Sequence, residues 1–64
     1  MITYNGTQLI EYTKALADFL EEHNYNLKHI AVELNGKIVK RADYARTKLQ
    51  DGDVLEIVTF VGGG

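Results

Sequence analysis

The sequence predicts an α+β fold in which one amphipathic helix covers a mixed sheet of about four to five strands. Two Asn-Gly pairs, at residues 5–6 and 35–36, each lie between short strand-forming runs and predict two hairpins. One segment between them carries apolar residues at helical spacing, and the last strand-like run, residues 54–61, is the longest. With 64 residues and no cysteine, the chain is expected to fold as one small domain without disulfides.

The first hairpin is predicted near the start of the sequence. Residues 2–4 are strand formers, and Asn5-Gly6 forms the turn because both central positions of the favoured turn need a positive φ angle. Residues 7–12 then form the return strand. Thr13 predicts the N-cap of the following helix, because its hydroxyl can accept a hydrogen bond from a free amide of the first turn.

The helix is predicted to run for about three turns and to bury one face. Charged residues fall on the opposite side, and an Asn-Tyr-Asn sequence at residues 24–26 ends the helix, since asparagine tolerates the left-handed conformation that follows a helix. The buried face is predicted to consist of Tyr12, Leu16, Phe19, Leu20 and His23.

The second hairpin follows the helix. Ile30, Val32 and Leu34 alternate with other residues and predict a strand with one apolar face, which turns at Asn35-Gly36 into a short return strand at residues 37–39.

A polar, irregular segment is predicted over residues 41–50, with Tyr44, Ala45 and Leu49 pointing inward. Residues 51–53, Asp-Gly-Asp, predict a turn before the final strand.

The order of these elements predicts a β-grasp (ubiquitin-like) architecture, with the last strand central and beside the first; a plain α+β sheet in another strand order is the alternative. Residues 1–61 would form the domain and residues 62–64, all glycine, a flexible tail. The predicted core consists of Leu16, Phe19, Leu20, Ile30, Val32, Leu34, Leu55 and Ile57.

Composition and charge exclude several classes of protein. The net charge of −2 argues against a general nucleic-acid or anionic-membrane binder. No apolar run approaches a membrane span, and no signal peptide is visible, so we expect a cytoplasmic protein that is monomeric when free. The sequence has no metal-spaced cluster and no paired carboxylates of a recognisable active site. His23 and His29 are expected to be surface or boundary residues, so an enzyme is disfavoured.

Basic residues are concentrated in one part of the sequence. This basic cluster is interpreted either as a solvated loop region or as a docking patch for an acidic partner surface. Its members are Lys37, Lys40, Arg41, Arg46 and Lys48.

Two runs carry a family resemblance: VELNGKIV at residues 32–39 and QDGDVLEIVTFVGGG at residues 50–64. In this order, and with glycines at the end, they resemble the ThiS family of small sulfur carrier proteins of bacterial thiamine biosynthesis. The likeness extends more loosely over the first hairpin and the helix.

The resemblance implies a β-grasp fold and a carrier that is not itself a catalyst. The carboxylate of Gly64 would be adenylated by an E1-like (ThiF-like) enzyme that uses ATP and magnesium. Sulfur from a donor protein would then give a terminal thiocarboxylate, which a ThiG-like thiazole synthase would consume. The carrier itself would bind no cofactor and no metal.

Gly62 and Gly63 fit this role, because a chain without Cβ atoms can enter a narrow channel in any backbone conformation. Two alternatives stay open. One is a carrier for another pathway, such as molybdopterin synthesis, cysteine synthesis or tRNA thiolation; the other is a β-grasp interaction module that transfers no sulfur.

The last strand is also predicted to provide a partner-binding surface. Its alternation places Leu55, Ile57 and Thr59 on one face, and Glu56, which should not be buried unpaired, on the other. Val58 and Phe60 share the face of Glu56, so we expect them to be exposed beside the glycine tail, where an activating enzyme would bind. The alternatives are a strand buried on both faces, or a Phe60 side chain that folds back over the edge of the core.

Overall fold

A computed structural model describes residues 1–10 and 14–61 of the chain. The described part contains one α-helix, seven strands and two short 3₁₀ helices. In chain order, these are β1 (Ile2–Tyr4), β2 (Thr7–Leu9), β3 (Lys14–Ala15), α1 (Leu16–Glu22), a 3₁₀ helix (Leu27–His29), β4 (Ile30–Leu34), β5 (Lys37–Val39), a second 3₁₀ helix (Arg41–Arg46), β6 (Lys48–Leu49) and β7 (Val54–Thr59).

Five strands form the main sheet in the order β2-β1-β7-β4-β5. β7 is parallel to β1 and antiparallel to β4, while β1·β2 and β4·β5 are antiparallel hairpins. β3 and β6 pair separately as a two-stranded sheet. The mixed five-stranded sheet with one main helix confirms the predicted β-grasp fold, including the central place of the last strand beside the first.

Both hairpins turn at their Asn-Gly pairs, as predicted. Asn5 and Gly6 have φ angles of 48° and 84°, and Asn35 and Gly36 have 53° and 83°, which places all four in the left-handed region that this turn needs. Asn24 follows the helix with φ at 61°, which confirms the predicted helix end.

The core lies between the sheet and the helix. Seven of the eight predicted core residues are buried, and Leu34 is only half-buried at the end of β4. The buried residues are Ile2, Leu16, Phe19, Leu20, Ile30, Val32, Tyr44, Leu49, Leu55 and Ile57.

The helix is shorter than predicted, with seven residues or about two turns. Lys14 and Ala15 pair with β6 as a strand, and the backbone amide of Leu16 donates to the carbonyl of Thr47 at 2.7 Å. Ala15 is the N-cap and makes no side-chain capping bond. The predicted cap, Thr13, and the predicted apolar residue Tyr12 lie outside the described residues.

The segment over residues 41–50 was predicted as irregular, and this prediction is wrong because it contains a 3₁₀ helix and β6. Tyr44 and Leu49 point inward as expected, but Ala45 is exposed. A 3₁₀ helix turns about 120° per residue, so the residue after buried Tyr44 faces away from the core.

Two asparagine side chains hold the central strand in place. The Asn5 side-chain oxygen accepts from the Ile57 amide at 2.7 Å, and its nitrogen donates to the Ile57 carbonyl at 3.1 Å. On the other side, the Asn35 side-chain oxygen accepts from the backbone amide of Val54 at 2.8 Å, and the backbone amide of Asn35 donates to the Val54 carbonyl at 2.7 Å. The turn residue of each hairpin thereby bonds the backbone of β7.

Leu20→Ala tests the assigned helix face. Leu20 is fully buried, and truncating a buried leucine costs about 2–5 kcal/mol, a large part of the stability of so small a domain. We expect a large loss of unfolding free energy in urea denaturation, whereas Ile38→Ala on the exposed face should have little effect. Equal, small effects of both substitutions would contradict the assignment.

Asn5→Gly tests whether the side-chain bonds from Asn5 to β7 stabilise the domain. Glycine accepts the positive φ angle, so this change removes the two bonds to Ile57 without backbone strain, and we expect a loss of about 1–3 kcal/mol. Asn24→Gly is the matched control, since Asn24 also has a positive φ angle and its side chain bonds no described residue. In urea denaturation, Asn5→Gly should lose more unfolding free energy than Asn24→Gly. Equal losses would show that the side-chain bonds of Asn5 contribute nothing to stability.

Candidate functional site

The candidate site is the end of β7, where the chain leads towards the glycine tail. Val61, the last described residue, is 99% exposed. The backbone amide of Phe60 donates to the carbonyl of His29 at 2.9 Å, which extends the pairing of the chain with the start of β4 by one more bond. The predicted attachment residue Gly64 and the tail residues Gly62 and Gly63 lie outside the described residues.

The outer face of the sheet carries exposed apolar side chains beside this end of β7. Val58 is 62% exposed and lies opposite Ala31 of β4. Ile38 of β5 is 69% exposed and lies opposite Glu33. Burial alternates along β7, with Leu55 and Ile57 inside, so Val58 is apolar without contributing to the core.

Phe60 occupies a different position from Val58. Its side chain is 44% exposed and lies at the margin of the sheet, with its ring centroid 6.3 Å from that of His29. It borders a groove of about 400 Å³ whose other lining residues include Leu27, Ile30, Arg41 and Tyr44. Burial raises the pKa of the Tyr44 phenol, and the positive charge of Arg41 offsets part of that rise.

The two apolar regions are continuous. Ala31 and Ile38 line both the groove at Phe60 and a smaller depression of about 90 Å³ beside Val58. The structure therefore brings the two predicted partner-binding residues to the edges of one surface. Sequence reasoning missed Ala31 and Ile38. Successive residues of a strand point to opposite faces, so an inward Val39 would have placed Ile38 on the outer face.

One member of the basic cluster reaches this surface. All five of its side chains are exposed, and Arg41 lines the groove at Phe60. Arg46 pairs with Asp43 at 3.3 Å.

The two histidines have structural contacts. His23 is exposed, and its ring stacks on that of Phe19 with a centroid distance of 4.1 Å, while Nδ1 donates to the Phe19 carbonyl at 2.9 Å. His29 is half-buried. Across residues 1–10 and 14–61, three or more histidine, aspartate or glutamate side chains nowhere come together as a metal site. In the same residues, no helix is long and apolar enough to cross a membrane.

Comparison with known proteins shows similarity along nearly the whole chain. The ThiS family matches residues 2–64. A "Sulfur carrier protein ThiS" of Bacillus subtilis is 40% identical over 52 residues, which cover 81% of this chain and 79% of that protein. A ThiS crystal structure from Geobacter metallireducens superposes with a TM-score of 0.81 and 28% identity, over 98% of this chain and 97% of that one.

A longer relative shows a second similarity. A thiazole synthase of Paramagnetospirillum magneticum contains a segment that is 47% identical to this chain over 45 residues. The aligned segment is 70% of this chain but only 14% of that protein.

Proposed function

Because the chain belongs to the ThiS family, we propose that it is a sulfur carrier in thiamine biosynthesis and that Gly64 carries the sulfur. The observation that carries the proposal is the extent of the family match, which reaches residue 64 and includes the three glycines after β7. The exposure of Val61 supports it, because a reactive end must leave the domain to enter an enzyme.

The proposed chemistry takes place at the terminal carboxylate and needs no catalytic side chain from the carrier. A carboxylate oxygen of Gly64 attacks the α-phosphorus of ATP in an E1-like enzyme, and pyrophosphate leaves. A sulfur nucleophile at the oxidation level of sulfide then attacks the carbonyl carbon of the adenylate. AMP leaves with the bridging oxygen, and a thiocarboxylate remains.

The proposed partners are a ThiF-like activating enzyme, which uses ATP and magnesium, a sulfur donor protein, and a ThiG-like thiazole synthase. Support for the thiazole synthase as a partner comes from the relative of that name, because its single polypeptide includes a segment similar to this chain. Val58 and Phe60 are the proposed contact residues, since they are exposed and apolar near the tail.

Deletion of Gly63 and Gly64 tests the attachment site. With the cognate activating enzyme, ATP and a sulfide source, the full chain should gain the mass difference between one sulfur and one oxygen, and the shortened chain should gain nothing. Val61→Ala is the control, because it changes an exposed side chain and leaves the tail at full length. Thiolation of the shortened chain would contradict the assignment; a thiolated chain that thiazole synthase cannot use would point to another pathway.

Val58→Ser tests the contact surface. Burying a valine against a partner is worth about 1.5–3 kcal/mol, so its loss should lower kcat/KM for adenylation about tenfold or more with little change in melting temperature. Val54→Ser is the matched control, because Val54 is exposed at the other end of the same strand. A large fall in melting temperature with normal kinetics would place Val58 in the core instead.

A further inference from the structure

Two glutamates face each other on the outer face of the sheet. Glu33 of β4 and Glu56 of β7 are direct partners in the antiparallel register. Side chains in such pairs have Cβ atoms about 5 Å apart. Neither carboxylate forms a hydrogen bond or an ion pair with any residue that the structure describes.

Their surroundings are apolar. The neighbouring pair along the two strands is Ala31 and Val58, and Ile38 lies opposite Glu33 on β5. All five side chains line the depression of about 90 Å³ on this face. Together, Ala31, Glu33, Ile38, Glu56 and Val58 form what we call the outer patch.

The two carboxylates repel each other in the isolated domain. Like charges directly opposite each other in a sheet disfavour the pairing of the two strands at that position. Glu56 is exposed and Glu33 is half-buried, so water screens part of this repulsion. A cation placed between the two carboxylates would reverse the sign of the interaction. The two glutamates alone are too few ligands for a metal site, and the described part of the chain brings no third metal-binding side chain to them.

We infer that the outer patch binds a protein surface that inserts an arginine or lysine side chain between Glu33 and Glu56, with apolar residues around it packing on Ala31, Ile38 and Val58. A guanidinium suits the position because its planar set of donors can bond two carboxylates at once. The apolar rim excludes water, so the charge pairing gives specificity as well as attraction.

This inference rests on the proposed function in one respect: the partner is taken to be the activating enzyme. The outer patch includes Val58, one residue before Thr59 at the end of β7, so a protein bound there lies beside the start of the tail. The repulsion between Glu33 and Glu56 would then be relieved only in the complex.

The test is direct binding to the cognate activating enzyme, measured by calorimetry, alongside the thiolation assay. The E33Q/E56Q double variant should bind about tenfold more weakly or worse. Its affinity should also lose most of the salt dependence seen for the unchanged chain. E33K/E56K, which reverses the charge, should abolish binding.

Stability supplies a readout that a purely structural role would not give. Removing the repulsion should leave the melting temperature of E33Q/E56Q equal to or above that of the unchanged chain, even as binding weakens. E21Q is the matched control, because Glu21 is an exposed helix carboxylate without a side-chain partner among the described residues, and it should not affect binding.

Each outcome has one meaning. Binding of E33Q/E56Q equal to that of E21Q overturns the inference, as does a failure of the unchanged chain to bind the enzyme. Weakened binding of the double variant with a lower melting temperature also overturns it, because loss of folded protein would then explain the result. If the unchanged chain binds, the double variant does not, and no thiolation occurs, the inference stands and the proposed sulfur transfer fails.

Discussion

The pairing of β7 with both β1 and β4 is the interaction on which the rest of the structure depends. One strand bonds one member of each hairpin, in parallel on one side and antiparallel on the other. Its inward side chains, Leu55 and Ile57, complete the core under the helix. The side-chain amides of Asn5 and Asn35 add bonds to the same strand from the two turns, so each hairpin is fixed to β7 by its turn as well as by its ladder.

The alternation of β7 separates the side chains that form the core from those that face solvent. Substitutions at inward positions act on folding, whereas Glu56 and Val58 face outward and contribute little to the core. A strand with two such faces lets a small domain keep a partner surface without weakening its interior. The outward face also carries Glu56 directly opposite Glu33, a pair of like charges that the inward face could not hold without a large cost of burial.

Local sequence patterns predicted most of the fold. The features that they missed depend on contacts between residues far apart in the sequence. The Asn-Gly turns and the alternation of β4 and β7 depend on neighbouring residues, so the sequence shows them directly. The late start of the helix depends on the pairing of Lys14 and Ala15 with residues more than thirty positions away, which no local pattern reveals. The same holds for the bonds of Asn5 to Ile57 and for the register that sets Glu33 against Glu56. Val58 and Phe60 were predicted as exposed, but the edge position of Phe60 depends on its contact with the 3₁₀ helix before β4.

The position of β7 along the chain has a consequence for protein synthesis. Both hairpins and the helix leave the ribosome before β7 does. Asn5, whose side chain bonds the backbone of Ile57 in β7, is synthesised 52 residues before Ile57. A nascent chain that stops before residue 54 therefore holds two hairpins with open inner edges, which are prone to proteolysis and to pairing with other chains. Folding can be completed only after translation has passed the strand that leads to Val61. The order of synthesis thus makes a protected, folded domain a sign that the chain has been extended nearly to its three glycines.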